Sequence, residues 1–276
     1  MIPINVMING LPGNVSRVIA RHIQNDNRFN LLPWSLTGPE IEEPVCNVES
    51  AMVQLINPKD RESILKTILT EVKPFITVDY THPSAVNDNA AFYCRHQLPF
   101  VMGTTGGDRS ALENTVEKSQ SAAVIAPNMA KQIVGFQAMM AWAANTFPDL
   151  FKGYSLSIRE SHQQGKADTS GTARAMVGYF NNLGLVFSAD DIQKERDPEI
   201  QAKTWGIPER YLDGHGWHTY TLDAEDQTVK FEFTHNISGR EIYAQGTMDA
   251  IVYLDEKVRT GSRGRVFSMI DVLKGV

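Results

Sequence analysis

The chain has 276 residues, 42% of them hydrophobic and 21% charged, with a formal net charge of −6. That length supplies one large or two modest cores, and the acidic balance gives no electrostatic ground for a nucleic-acid partner. Two cysteines, Cys46 and Cys94, are too few for a disulfide scaffold and suit a reducing compartment, and no run reaches the ~18 apolar residues of a membrane span. Ile4 to Ile8 reads as a strand and Val15 to Gln24 as a helix, with Val15, Val18, Ile19 and Ile23 on one side. A second strand is expected over roughly Asn30 to Leu36 and another over Met52 to Ile56, followed by a helix from Arg61 to Val72 striped by Ile64, Leu65, Ile68 and Leu69. Phe75 to Val78, Pro99 to Met102 and Ala122 to Ala126 read as short buried strands, with helices over Ala85 to Cys94 and Ser110 to Lys118 between them. Such alternation implies parallel strands with covering helices, an α/β fold with a doubly wound, Rossmann-like sheet.

The pattern changes near residue 130. A long helix, Lys131 to Phe147, precedes a strand with inward candidates Tyr154, Leu156 and Ile158, and Val229 to Thr234 alternates strictly. These features predict an α+β domain with a mixed or antiparallel sheet. Ser188 to Gly216 reads as loops, and Gly246 to Lys257 and Val266 to Leu273 as helices returning to the first domain. The expected division is residues 1–130, completed by 246–276, for dinucleotide binding, and 131–245 for substrate binding and oligomerisation.

Between the first strand and helix stands Gly10-Leu11-Pro12-Gly13-Asn14-Val15. Glycines there let backbone N–H groups approach a pyrophosphate at the helix start. Pro12 and Ser16 replace two glycines of the full fingerprint, and G-x-x-G alone marks a tight turn as readily; its place after the first strand favours the nucleotide reading. Asp79-Tyr80-Thr81 and Gly103-Thr104-Thr105 leave buried strands at their carboxyl ends, where open α/β sheets bind ligands, although ordinary turn chemistry has the same composition. Pro127-Asn128-Met129 falls at the expected domain junction.

The segment Glu160-Ser161-His162-Gln163-Gln164-Gly165-Lys166 ends a strand, and Ser170-Gly171-Thr172 starts a helix. A helix start binds carboxylates, Lys166 adds a compact charge and His162 can donate a proton near neutral pH. A solvated lysine and a plain helix cap would look the same. Taken together in order and spacing, the glycine turn, Asp79-Tyr80-Thr81-His82-Pro83, Gly103-Thr104-Thr105-Gly106, Glu160-Ser161-His162 with Lys166, and Ser170-Gly171-Thr172-Ala173 resemble the dihydrodipicolinate reductase family over nearly the whole chain. Pro83 to Asn89, Met102 to Arg109 and Phe231 to Asn236 resemble its plant-type branch.

The resemblance implies a hinged two-domain enzyme that reduces the cyclic imine of 4-hydroxy-tetrahydrodipicolinate to tetrahydrodipicolinate, in the diaminopimelate route to lysine. Hydride would add at C4 of the conjugated imine and a proton at C3. It makes His162 the general acid, Lys166 its partner, and Ser170, Gly171 and Thr172 the carboxylate-binding loop, with Gln163 and Thr105 beside the substrate. The bacterial pattern has a second histidine where Gln163 stands, and a proline where Thr169 stands. The resemblance also implies a small dicarboxylate cyclic imine as the ligand. The address expected is the cytoplasm, or the plastid stroma if a transit peptide has been removed. Alternating strands of the second domain suggest a shared sheet, hence a homo-oligomer, dimer or tetramer.

No acid stands within the second strand, so NADPH is expected over NADH, with NADH also used. Ser35, Thr37 and the Gly38 N–H would serve the 2′-phosphate, with Arg17 either a nearby cation or an ordinary solvated helix charge, and Glu40 is expected to point away. Aspartate-semialdehyde dehydrogenase chemistry is rejected, because it needs a nucleophilic cysteine in the catalytic domain. A non-catalytic NADPH-binding assembly or redox-sensing relative is the alternative, disfavoured by the presence of His162 and Lys166. His215-Gly216-Trp217-His218 lacks the glutamate and third ligand of a zinc motif, so those histidines read as structural loop residues and no metal is expected.

Overall fold

The computed structural model describes residues 2–72, 74–166 and 168–275. It divides into two units, Met1–Lys131 with Glu241–Val276, and Gln132–Arg240. In the first, β1 (Ile4–Asn9) passes through the glycine turn into α1 (Asn14–Gln24), and β2 (Phe29–Leu31) and β3 (Trp34–Leu36) follow. The expected single strand from Asn30 to Leu36 is therefore two. Pro33 separates them because it has no N–H for a ladder. β2 pairs with β1, whereas β3 pairs with β5 (Ala51–Ile56) beside an unanticipated β4 (Val45–Val48). α2 (Arg61–Glu71), β6 (Ile76–Asp79), α3 (Val86–Arg95), β7 (Phe100–Met102), α4 (Arg109–Glu117) and β8 (Ala122–Ile125) then alternate as expected. Every residue of β6, β7 and β8 is buried, as a parallel sheet covered on both faces requires.

α5 (Lys131–Thr146) leads to the second unit, which holds β9 (Tyr154–His162), α6 (Gly171–Asn182), β10 (Gln193–Glu195), α7 (Pro198–Lys203), β11 (His215–Ala224) and β12 (Lys230–Ser238). The sheet is mixed, in the order β10-β9-β11-β12, with β10 parallel to β9 and the other pairs antiparallel. Ser188 to Gly216 is thus not all loop: Gln193–Glu195 adds an edge strand, Asp197 caps α7 through its side chain, and His215 and Gly216 begin β11. Ile158, Met176, Phe180, Tyr220 and Leu222 form the centre of this unit's core.

The chain then returns to the first unit through α8 (Glu241–Arg259), β13 (Arg265–Phe267) and α9 (Met269–Lys274). Val266 to Leu273 was expected to be helical throughout. Val266 and Phe267 instead extend the parallel sheet beside β8, and a Ser268–Asp271 capping box starts the helix just beyond them. The finished six-stranded sheet runs β13-β8-β7-β6-β1-β2.

Candidate active site

At the end of β1 the backbone turns at Gly10, with φ of +96° and the Tyr80 carbonyl packed where a side chain would stand, a position closed to L residues. The Gly10 N–H donates to the Leu36 carbonyl of β3 and the Gly13 N–H to the Gly10 carbonyl, each at 2.9 Å, so both are already taken within the protein. Pro12, half-buried, follows a cis peptide bond. The turn leaves α1, 11 residues long, without a side-chain cap among the described residues, so the first N–H groups at Asn14 and Val15 suit an anion. Ser16, in the third glycine's place, is buried and donates to the Asn9 carbonyl at 3.2 Å, tying helix to strand.

Ser35 and Thr37 do not play their expected part. Both are buried. Ser35 Oγ accepts from the Leu11 N–H at 3.3 Å and Thr37 donates to the Leu11 carbonyl at 2.8 Å, so both brace the glycine turn instead of reaching a phosphate. Glu40 does not point away: its carboxylate folds back over the α-carbon of Gly38. Arg17 donates to the carbonyls of Pro12 at 2.8 Å and Asn47 at 3.2 Å, which fixes a positive charge beside the turn.

Asp79 is fully buried and presents no oxygen to a ligand. One carboxylate oxygen accepts from the Thr81 N–H at 3.1 Å, the Thr81 hydroxyl at 2.8 Å and the Thr104 hydroxyl at 2.6 Å. The other accepts from Asn89 at 3.0 Å and the Tyr93 hydroxyl at 2.6 Å. The N–H groups of Gly103 and Thr104 donate to its main-chain carbonyl at 3.0 and 3.2 Å. Asp79 therefore shapes the loops after β6 and β7 from beneath. The Tyr80 ring lies where a Gly103 side chain would stand, and its hydroxyl bonds Thr247 at 2.6 Å. Thr105 is exposed. In the third loop Pro127 is exposed, Asn128 accepts from the Ala130 N–H at 2.9 Å, and the Met129 side chain is buried.

In the second unit the strand period places function. Along β9 the residues Leu156, Ile158, Glu160 and His162 share one face, since side chains alternate. Their register partners on β11 are Leu222, Tyr220, His218 and Gly216, and Phe233, His235 and Ile237 stand opposite the last three on β12. One sheet face thus runs from an apolar half on the core to a polar half of Glu160, His162, His218 and His235.

His162 is 9% exposed. Its Nδ1 lies 3.0 Å from the His215 carbonyl, so the neutral ring keeps its proton there and Nε2, which has no partner, carries the free lone pair. Gln201 of α7 donates to the His162 carbonyl at 2.7 Å. Burial lowers the His162 pKa to about 4, the nearby His218 adding to the shift and Glu160 opposing it. His235 falls to about 4 for the same leading reason. Glu160 is ionised: burial works to raise its pKa, but the His218 ring 3.7 Å away and hydrogen bonds from Arg196 and the Ser170 N–H outweigh that and hold it at about 2.

Lys166 Nζ pairs with Asp168 at 2.8 Å, while its carbonyl accepts from Arg196 Nε at 2.7 Å. Gln163 is half-buried, its carbonyl accepting the Lys166 N–H at 3.0 Å. Ser170 caps α6 by position but not by a side-chain bond; its own N–H goes to Glu160 at 3.1 Å, leaving the first-turn N–H groups of Gly171 and Thr172 for an anion. The sequence offers no role for Arg196, gives Glu160 only a place in the motif and presents His218 as a structural loop residue. His218 is in a strand, not a loop, and the alternation His218, Tyr220, Leu222 was the available signal for its burial.

Among the described residues, donor atoms of Glu160, His162 and His218 lie within 4.8 Å of one another. They fit a dication poorly. The Arg196 guanidinium already neutralises the one carboxylate, so the set offers a dication no net negative charge. The first unit's uncapped α1 and its strand-end loops do fit a dinucleotide.

Family models described as dihydrodipicolinate reductase N-terminus and C-terminus match residues 4–129 and 133–273. The chain is 43% identical to the chloroplastic 4-hydroxy-tetrahydrodipicolinate reductase 2 of Arabidopsis thaliana, covering 98% of this chain and 77% of the relative. It is 44% identical to the chloroplastic reductase 1 of the same plant, covering 98% and 78%. A dipicolinate-bound dihydrodipicolinate reductase from Paenisporosarcina sp. TG-14 has the same fold, with a TM-score of 0.67, 18% identity and coverage of 97% of this chain and 98% of that one.

Proposed function

The chain belongs to the dihydrodipicolinate reductase family and is a nicotinamide-dependent reductase of lysine biosynthesis; on that premise we propose that it reduces the cyclic imine of 4-hydroxy-tetrahydrodipicolinate to tetrahydrodipicolinate with His162 as proton donor. The observation that carries this reading is the end of β9: an imidazole with one nitrogen fixed by a carbonyl and the other free, followed by Lys166 and the uncapped start of α6. That set suits a planar dicarboxylate that must receive a proton. Lys166 and the Gly171 and Thr172 N–H groups hold its carboxylates, Gln163 and Thr105 lie in loops suited to contact it, and His162 Nε2 delivers the proton to C3.

The first unit is the dinucleotide-binding domain in this reading, and the second the substrate-binding and oligomerisation domain. When bound, the nicotinamide supplies the hydride to C4. Asn14 and Val15 receive the pyrophosphate after the Gly10-Leu11-Pro12-Gly13 turn, and the loops of Tyr80, Thr81, Gly103, Thr104, Pro127, Asn128 and Met129 line the nicotinamide side, with Ser35, Thr37 and Asp79 acting by bracing. Arg17 favours the 2′-phosphate and Glu40 opposes it, so NADPH is preferred modestly and NADH is used as well. No metal takes part.

We further read a homo-oligomer, dimer or tetramer, and a plastid address, the latter from the chloroplastic plant relatives. No described helix is long and apolar enough to cross a membrane. The test is NADPH consumption at 340 nm with enzymatically generated substrate. Turnover that His162→Asn abolishes supports the proposal. Intact NADPH binding without turnover would leave a non-catalytic relative.

A further inference from the structure

The mechanism above uses one histidine of the polar sheet face and leaves His218 idle. His218 is 3% exposed, and neither ring nitrogen has a hydrogen-bond partner at normal distance. Buried polar nitrogens left unpaired are costly and point to a working role or a transient partner. The surroundings say which. Nε2 of His218 lies 3.7 Å from a Glu160 oxygen, and a ring nitrogen of His218 lies within 4.8 Å of one on His162. Its ring meets that of His162 edge-on at 5.0 Å and stacks on that of His235 at 4.6 Å.

The titratable groups facing it are Glu160 and His162 from β9, Tyr220 of its own strand and His235 from β12, with Arg196 on the far oxygen of Glu160. Phe136 of α5 closes over His235 and brings no charge. His218 is thus the imidazole of this face that meets a carboxylate directly, and the one whose neighbour, His162, must be reloaded.

We propose that His218 is the positioning residue that relays a proton to His162. Each turnover consumes one hydride and one proton. The hydride adds to C4, His162 gives its Nε2 proton to C3 and becomes neutral, and a ring nitrogen of His218 passes a proton to His162 Nε2. The two rings make no direct hydrogen bond to each other, so the transfer proposed runs through one bridging water. His218 is then resupplied with a proton from solvent beside the Glu160 carboxylate, so the site ends each cycle unchanged. This rests on the reading of His162 as the donor.

The experiment compares wild type, His218→Asn, His218→Gln and His162→Asn in the full chain. It records kcat, KM, the D2O effect on kcat and the pH profile from 6 to 9. Expected for both His218 variants is a kcat about tenfold lower at pH 8 to 9 but near wild type at pH 6, where solvent protons are plentiful, with KM within about twofold and a larger D2O effect. An equal loss at every pH with an unchanged D2O effect, or a wild-type profile, overturns the inference. If His162→Asn keeps its kcat, the donor assignment itself fails; if that variant is inactive and the His218 variants are normal, only the inference fails.

Discussion

A histidine whose pKa is about 4 is almost wholly neutral near pH 7, so a proton donor at His162 must be loaded by its ligand. The perturbation to test is occupancy of the pocket by dipicolinate, a planar dianion of the substrate's shape. Raising the pKa from about 4 to about 7 requires about 4 kcal/mol, at ~1.4 kcal/mol per unit. One carboxylate ~5 Å away in an effective dielectric of ~20 supplies about 3 kcal/mol. Two carboxylates, partly neutralised by Lys166, therefore reach the required size. Linkage then gives the sign: between the free and bound pKa values the complex holds one proton more than its components. Binding should take up close to one proton at pH 6 and almost none by pH 8, and affinity should weaken as pH rises between them. Calorimetry in buffers of different ionisation enthalpy counts the proton. No uptake at pH 6, or equal uptake by His162→Asn, would refute the argument.

Five other outcomes are expected. Lys166→Ala should lose about 2–4 kcal/mol in kcat/KM, whereas Asp168→Asn, which frees the Lys166 ammonium, should lower KM in steady-state assays. Glu40→Gln should raise the NADPH-to-NADH ratio of kcat/KM by about threefold to tenfold, and Arg17→Ala should lower it. Stability should fall in acid, because an unfolded histidine binds its proton below about pH 6.5 and buried His162 only near pH 4. That stability is complete above pH 6.5, and about 2 kcal/mol should go between pH 6.5 and 5; a urea titration in which His162→Asn is equally acid-sensitive would contradict it.

The alternating half of the chain was legible because each buried strand is a short apolar run and each helix carries its stripe. Where reading failed, a single residue or a partner strand had decided the outcome. Pro33 split a segment that looks continuous, and Val266-Phe267 became a strand only because β8 offered it an edge. The site was legible as motifs but not as geometry. Lys166 and His162 stand in a recognisable string, yet Arg196 reaches Glu160 across 36 positions and His218 lies opposite Glu160 only by register. Ser35, Thr37 and Asp79 have the chemistry of ligand contacts and are consumed by the backbone and side chains around them. Only coordinates separate a hydroxyl that reaches outward from one that braces a turn.

The buried Asp79 carboxylate joins Thr81 and Thr104, so two loops far apart in sequence form a single mechanical part. Grafting either loop alone from another reductase would strand acceptors beneath the other. Substitutions at 81 and 104 should accordingly be strongly epistatic through position 79, and cofactor redesign here has to move all three residues as one cassette.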